Sequence, residues 1–571
     1  MIISLAQMNS IIGDFGGNAR KIAELADNAL SDNVSFGPPD LIVFPELALC
    51  GYPPMDLLDQ EAFVEGNLSA LRELQKTLPA SAAVAVGYVD RNRTGSGRAL
   101  VNAISVIADG KIVFTQAKTL LPTYDVFDEA RYFEPAKTRK VFTPPQGRIG
   151  FAICEDFWWE APPSPSFKYA LDPVKDLLDA SLDILIVPSA SPFVAGKLKT
   201  RLALAKGTAR EGHIPVLYCN AVGANDSLVF DGRSFMVAPN GETIAMCGWH
   251  EAILTVDTAT MAAETKTIES GFPAESTLFP PNEAIEEIHQ ALIVGIRDYM
   301  RKSGFSKACL GLSGGIDSAM VAILGAEALG ADNITCVAMP SRFSSEGSVN
   351  DSIELCRRAG ISLERLSIEA PFKAYLDLLS VPFAGRPFDL AEENLQARIR
   401  GALLMAWSNK FNALLLTTGN KSEIAAGYCT LYGDMCGALA PIGDLYKTEV
   451  YALARHLNQV AAVAGKPEPI PLPIIEKAPS AELRLNQKDQ DSLPEYELLD
   501  TILRLYIEDN ASLEEIIEKG LDSAVVHKVL GLTARAEYKR RQAAPVIKVS
   551  KRAFGIGRRL PLSRYIHEIE G

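Results

Sequence analysis

The chain has 571 residues, too many for one core at roughly 100 to 200 residues per domain, and with 48% hydrophobic and 22% charged residues it is neither disordered nor fibrous. Seventy acidic against 56 basic residues give a net charge of -14, which disfavours a nucleic-acid partner. Nine cysteines without a C-x-x-C pair, and only six histidines, suggest neither a disulfide framework nor a zinc site, so a reducing cytoplasm is expected.

The opening Met-Ile-Ile-Ser-Leu-Ala-Gln-Met reads as a first strand, and no apolar run approaches the ~18 residues of a membrane span. No membrane partner is expected. To about residue 260, short β-branched runs follow one another: Ile2 to Met8, Leu41 to Glu46, Ala82 to Val89, Val101 to Ala108, Ile149 to Cys154, Ile184 to Val187, Val216 to Asn220 and Phe235 to Ala238. Helical patterns over Asn18 to Leu30 and Lys199 to Glu211 make this a layered α/β domain. Periodicity is lost and prolines gather at 266 to 282, after which Ile285, Ile288, Leu292, Ile296 and Tyr299 recur at helical spacing. The expected division is a domain over 1–265, a linker over 266–284 and a second domain over 285–571. In the latter, strands at Ala308 to Leu312, Ile334 to Ala338 and Ala413 to Thr417 alternate with helices from Asp317 and near Val349 to Ala359, the rhythm of a doubly wound parallel sheet. Gly465 to Pro473, with four prolines, reads as an extended surface crossing.

Three polar residues stand at the ends of apolar strands in the first half: Glu46 in L-I-V-F-P-E, Lys118 in I-V-F-T-Q-A-K and Cys154 in I-G-F-A-I-C-E-D. A thiol with pKa about 8.5 needs a carboxylate to take its proton and a cation to steady the oxyanion that follows attack. Taken singly, each is more often structural or solvated. In the contexts F-P-E-L, A-K-T-L-L-P-T-Y-D-V-F-D-E-A-R-Y-F and C-E-D-F-W, in that order, the segment resembles the nitrilase or carbon-nitrogen hydrolase superfamily. That resemblance implies an α-β-β-α sandwich, Glu46 as general base, Lys118 as oxyanion stabiliser, Cys154 as nucleophile and Glu129 as a second glutamate supporting the lysine. Thr123 stands where the family commonly has Asn, and the Trp158, Trp159 pair reads as packing more than as pocket lining.

Residues 310 to 319, L-G-L-S-G-G-I-D-S-A, lie between a strand and a helix. Gly311, Ser313 and Gly315 satisfy the G-x-S-x-G nucleophile elbow, and the same small residues suit an anion cradle at a helix N-terminus; no Walker A sequence follows. The elbow lacks a recognisable histidine, since His456, His527 and His567 have no fitting context. S-G-G-I-D-S resembles the pyrophosphate loop of the N-type ATP pyrophosphatases. T-T-G-N-K-S-E, L-Y-G-D-M-C-G and I-G-D-L-Y-K-T-E-V are ordered as in NAD synthetases. The resemblance implies that Ser313, Gly314, Gly315, Asp317, Ser318, Thr418 and Lys447 bind ATP and pyrophosphate, and that Asp317 and Glu423 hold Mg2+. It also implies that Arg342, Arg398, Asp434 and Lys539 surround deamido-NAD, with Arg342 in M-P-S-R-F-S-S-E-G-S and Lys539 in K-R-R-Q.

A thiol amidase joined to an adenylating domain resembles the glutamine-dependent NAD synthetases over nearly the whole chain. The implied small-molecule substrates are glutamine, deamido-NAD and ATP; the implied products are NAD, AMP, pyrophosphate and glutamate. A homo-oligomer, an enclosed ammonia route from Cys154 to the 313 to 318 loop, and stimulation of the glutaminase by the other substrates are further expectations. The alternatives are another glutamine- and ATP-dependent amidotransferase and a catalytically silent nitrogen-sensing scaffold.

Overall fold

Alternating apolar side chains give the first strands two buried faces. Leu41 and Val43 point to one side and Ile42 and Phe44 to the other, and both sets are buried. The computed structural model describes residues 1–31, 35–159, 168–268, 284–485 and 487–566. The chain divides into two units, Met1–Asn282 and Glu283–Gly571.

In the first unit, a seven-stranded sheet among the described residues runs in the order Ala262–Thr267, Ala252–Asp257, Ile2–Gln7, Leu41–Val43, Ala83–Arg91, Leu100–Ala108, Lys111–Ala117. A six-stranded sheet runs Thr243–Met246, Phe235–Val237, Val216–Asn220, Ile184–Ser189, Ile149–Phe151, Val141–Phe142. Ile3, Leu5, Leu41 and Val43 of the first sheet pack against Ile149, Phe151, Ile184, Ile186 and Leu217 of the second. The outer faces are covered by helices: Ile22, Leu25, Leu71 and Leu74, from Phe15–Ser31 and Glu61–Thr77, meet Ile42 and Phe44. Ala205 and Ala209, from Lys197–Gly212, meet Leu185 and Val187. This is the α-β-β-α sandwich. Each fully buried Leu, Ile or Phe contributes about 1.5–3 kcal/mol relative to exposure, so the three layers of contact outweigh any single polar feature. The helix Glu61–Thr77 escapes the sequence reading, its apolar positions being spaced out by Glu and Asn.

The second unit has a parallel four-stranded sheet among the described residues, Ser362–Arg365, Ile334–Ala338, Ala308–Gly311, Leu414–Leu415. The helix Ile316–Leu329 packs on the two central strands, while Cys309, Val337 and Leu415 meet Phe372, Ile399 and Leu404 from Glu369–Leu379 and Leu390–Phe411. Helices on two faces make the sheet doubly wound. A helical layer follows, in which Tyr496–Ile507, Leu513–Glu518 and Ser523–Arg535 bury the short helix Lys421–Ala426.

The surface crossing expected over Gly465 to Pro473 is exposed at 465–468 and 472–473, with a buried anchor between them and a helical end. Ile470 is fully buried, exchanging backbone bonds with the Asn458 side chain at 2.8 and 3.1 Å, and a short helix, Leu472–Glu476, begins before the segment ends. Most of the expected linker, 269–283, lies outside the described residues, as does His567. No helix among the described residues is long and apolar enough to cross a membrane.

Candidate active sites

In the first unit, the polar residues at strand ends converge. Glu46 follows Leu41–Val43 in a turn pressed onto the neighbouring strand at Gly87. A Cβ there would stand 2.4 Å from the Pro45 carbonyl oxygen, so only glycine allows the turn to sit where it does. Lys118 leaves Lys111–Ala117 and donates its backbone N–H to the Asn102 carbonyl at 2.8 Å. Cys154 opens a one-turn 3-10 helix, Cys154–Phe157, with φ +47°, a left-handed conformation costly for a residue with a Cβ. Asp156 holds that turn. Its carboxylate accepts N–H bonds from Thr119 (2.9 Å), Leu120 (2.7 Å) and Ile153 (3.2 Å), tying the cysteine turn to the lysine loop.

The Lys118 Nζ donates to Glu46 Oε1 at 2.7 Å and to both Glu129 oxygens at 2.9 Å. Glu46 also accepts from Asn102 Nδ2 (2.7 Å) and the Ala190 N–H (3.0 Å), and Tyr52 donates to Glu129 at 2.9 Å. The Lys118, Glu46 and Glu129 side chains are 1%, 0% and 6% exposed, so the charges answer each other and not water. Burial alone would push the Lys118 ammonium down, but Glu129 and Glu46 together hold it well above its ordinary value. Burial pushes Glu129 up to about 7 against the pull of Lys118. Burial, then the Glu46 charge, push the Cys154 thiol well above its ordinary value, with Lys118 opposing them. The resting site therefore holds a protonated thiol beside a carboxylate and a cation, and activation requires proton transfer during attack.

Sequence reading missed Asn102, Tyr52 and Asp156, because their partners are distant in sequence. It also left Glu155 unassigned, although C-E-D contains it; its buried carboxylate accepts from Tyr124 (2.9 and 3.0 Å) and Tyr169 (2.6 Å). Lys197, pushed down to about 8 first by burial and then by Arg201, stands 5.0 Å from the centre of the Trp158 ring. Trp158 itself is packed in the core, as the tryptophan pair's composition suggested.

In the second unit a cavity of about 530 Å³ opens over the end of the strand Ala308–Gly311. Gly314 turns the loop at φ +81°, where a Cβ would lie 2.2 Å from the Ser348 carbonyl oxygen. Ser313 Oγ bonds Ser318 Oγ at 3.0 Å and accepts the Gly315 N–H at 3.2 Å, and Ser318 donates to the Gly315 carbonyl at 3.0 Å. The loop is thus closed on itself at the N-terminus of Ile316–Leu329, and among the described residues no histidine lines the cavity. That geometry suits an anion cradle and leaves the nucleophile elbow without a base.

Ser313, Gly315, Asp317, Ser318, Thr418, Glu423, Asp434, Lys447 and Lys539 line the cavity. Gly314 backs it, against Ser348. Arg342 and Arg398 are not brought to it. Arg342 forms a close ion pair with Glu369, and Arg398 donates to the Leu431 carbonyl at 3.2 Å. Arg400, two positions further along the same helix, lines the wall instead and donates to the Met339 carbonyl at 3.1 Å. A two-residue step turns a helical side chain through about 200°, just over half a turn, which is why neighbouring arginines part company. Lys539 Nζ donates to the Gly427 and Cys429 carbonyls, both at 2.7 Å, capping the end of the helix that carries Glu423.

Asp317 and Glu423 are drawn together by one ammonium: Lys447 Nζ makes a close ion pair with Asp317 and stands 3.5 Å from Glu423. Asn420 Nδ2 donates to Asp317 at 3.0 Å and caps the helix bearing Glu423. Burial, then the Asp317 charge, push Glu423 up to about 8. Asp489, in the same cavity, is buried and accepts from Tyr496 at 2.8 Å through Oδ2, while its Oδ1 accepts no bond. These oxygen donors and the orphaned Oδ1 fit a hard cation such as Mg2+, with phosphate oxygens completing its shell. Among the described residues, no group of three or more acidic, His or Cys side chains forms a complete metal site.

Residues 2–266 match the family model of carbon-nitrogen hydrolases, and residues 288–543 that of NAD synthases. The glutamine-dependent NAD(+) synthetase of Synechocystis sp. is 44% identical over 570 residues, 99% of each chain. That of Thermotoga maritima is 42% identical over 592 residues, again 99% of each. Among solved structures, the glutamine-dependent NAD+ synthetase of Acinetobacter baumannii in complex with ADP matches with TM-score 0.74 at 36% identity, covering 98% of both chains. A glutamine-dependent NAD(+) synthetase from Cytophaga hutchinsonii, 21% identical, shares the fold with TM-score 0.80 over 98% of this chain and 97% of its own.

Proposed function

The chain belongs to the glutamine-dependent NAD(+) synthetases, and from that membership we propose how its residues divide the reaction. The protein is a ligase that amidates deamido-NAD to NAD with ATP, taking its nitrogen from glutamine. The observation that carries the division of labour is the buried Glu46, Lys118 and Glu129 set beside Cys154, since it serves an amide and has no use in phosphate chemistry.

In the first unit, Cys154 Sγ attacks the side-chain amide carbonyl of glutamine as its proton passes to Glu46. The oxyanion is met by the Lys118 ammonium, and Glu46 returns the proton to the departing nitrogen, so ammonia leaves and a thioester remains. Water, deprotonated by Glu46, then attacks the thioester; glutamate leaves and the thiol is restored. Glu129 holds Lys118 from the far side, with Tyr52 behind it.

In the second unit, the deamido-NAD carboxylate attacks the α-phosphorus of ATP. Pyrophosphate departs into the cradle of Ser313 to Ser318, and ammonia displaces AMP from the mixed anhydride to give the amide. Mg2+, when bound, neutralises phosphate charge as it develops; Asp317 and Glu423 would hold it. Thr418 borders the nucleotide, Lys447 offers an ammonium to its phosphates, and Asp434 and Lys539 lie towards the nicotinate end. Arg342 and Arg398 do not line the cavity and stay as proposed deamido-NAD contacts beyond it, and Arg400, which lines its wall, joins them. The ADP bound in the Acinetobacter baumannii relative supports an adenine nucleotide as ligand.

Nine free thiols support a reducing compartment. Ammonia transfer out of exchange with solvent, and assembly with further copies of the chain, belong to the same reading. Isotope-labelled ammonium during glutamine-driven turnover tests the first, and sedimentation tests the second. The decisive assay follows NAD formation from deamido-NAD and ATP, with glutamine and with ammonium in parallel. Turnover with both supports the assignment; no AMP release dependent on deamido-NAD overturns it.

A further inference from the structure

Lys447 lies where its proposed partner would have to go. Its Nζ is in a close ion pair with Asp317 and 3.5 Å from Glu423, and its side chain is 3% exposed. A Mg2+ shared by the same carboxylates needs oxygens at about 2.0–2.1 Å, so it would take up the space the ammonium fills. Two cations cannot share that space, and an ammonium expelled into a buried wall without an anion would be left uncompensated. The backbone of Lys447 is held: its N–H donates to Ser422 Oγ at 2.9 Å, and Ser422 in turn bonds Asp500 at 2.5 Å. The four-carbon side chain has rotatable bonds beyond that anchor, and it lines the same cavity as the Ser313 to Ser318 loop.

We propose that the Lys447 ammonium is the resident counter-ion of the Asp317 and Glu423 pair. It yields its place to the divalent cation only when nucleotide phosphates take it up, so that cation and nucleotide bind as one unit. This rests on the reading of Asp317 and Glu423 as cation-holding residues. The exchange keeps every charge paired at each stage: ammonium with carboxylates before binding, cation with carboxylates and ammonium with phosphate after it. It also gives the cavity a guard against cation binding without substrate.

The test uses the full chain and Mn2+ as probe, with free Mn2+ counted by electron paramagnetic resonance, with and without a non-hydrolysable ATP analogue. In the wild-type protein the analogue should tighten Mn2+ binding about a hundredfold or more. Lys447→Met should lose NAD synthesis, yet bind Mn2+ without the analogue at least tenfold more tightly than wild type. Mn2+ alone should also raise the thermal transition of the variant and leave that of the wild type unmoved. Lys447→Gln, which keeps a polar end, serves if the methionine variant does not fold. Equal affinities of wild type and both variants without the analogue would overturn the proposal. Asp317→Asn separates the underlying reading: if it binds Mn2+ with the analogue as tightly as wild type, the cation is not held by Asp317 and the assignment itself fails.

Discussion

The two units solve opposite electrostatic problems. In the first, two carboxylates share one ammonium beside a thiol, and all four groups are sealed from water before any substrate arrives. In the second, a cavity of about 530 Å³ is lined by the Ser313 to Ser318 loop, by Lys447 and by carboxylates that Lys447 already pairs, and its proposed ligand brings most of the charge itself. A neutral amide suits a preorganised dry site, where a fixed cation acts strongly on a developing oxyanion. ATP, with its several negative charges, suits an open wall whose counter-charges can rearrange. Rigidity is built into the first site and exchange into the second.

Removing the nucleophile should break the comparison most sharply. Cys154→Ala should lower glutamine-driven NAD synthesis on the order of 10⁴-fold or more and leave ammonium-driven synthesis within about twofold. Equal loss with both donors would show that the sites are not separate. Next in size, Asp317→Ala should cost on the order of 10²- to 10³-fold with either donor, since the shared adenylation step loses its charge compensation. Ammonium-driven synthesis near the wild-type rate would remove Asp317 from the site.

Breaking a sealed charge cluster should show as stability, and here both units can be compared. Lys118→Met strands Glu46 and Glu129, and Lys421→Met strands Asp444 and Glu508, whose oxygens lie 3.0 and 2.8 Å from the Lys421 Nζ. Each should cost about 3–5 kcal/mol, read from chemical denaturation followed separately in each unit. A smaller effect is expected of Gly314→Ala, where the left-handed φ and the 2.2 Å approach to Ser348 force the loop to shift. The KM for ATP should rise about tenfold while glutaminase turnover stays unchanged.

The smallest quantity to be read is a pKa shift, and it is the most discriminating. Glu46→Gln should abolish glutaminase turnover and yet lower the pKa of Cys154, because burial and the Glu46 charge both raise it and the substitution removes the second. The rate of iodoacetamide alkylation at Cys154, followed against pH, should therefore climb at lower pH in the variant. An unchanged profile would mean that Glu46 does not bear on the thiol, and a shift upward would reverse the sign of its influence.

Both folds were legible in the sequence because a buried layered sheet demands short apolar runs. Those runs stand where the strands are, from Ile2–Gln7 to Ile334–Ala338. The candidate site residues were legible for a related reason: Glu46, Lys118 and Cys154 are polar groups set at the ends of such runs, and Asp317 opens the helix that follows one. Only the tertiary structure decided which charges meet. Lys118 reaches Glu46 across 72 positions, and Lys447 reaches Asp317 across 130. Arg398 and Arg400, near neighbours in sequence, were separated by the turn of a helix into outside and inside. Local sequence determines which residues are extended, helical or turning, because those choices depend on neighbours a few positions away. Pairing of buried charges depends on which distant segments the fold brings together, and on a core that leaves each ion no partner but its opposite charges.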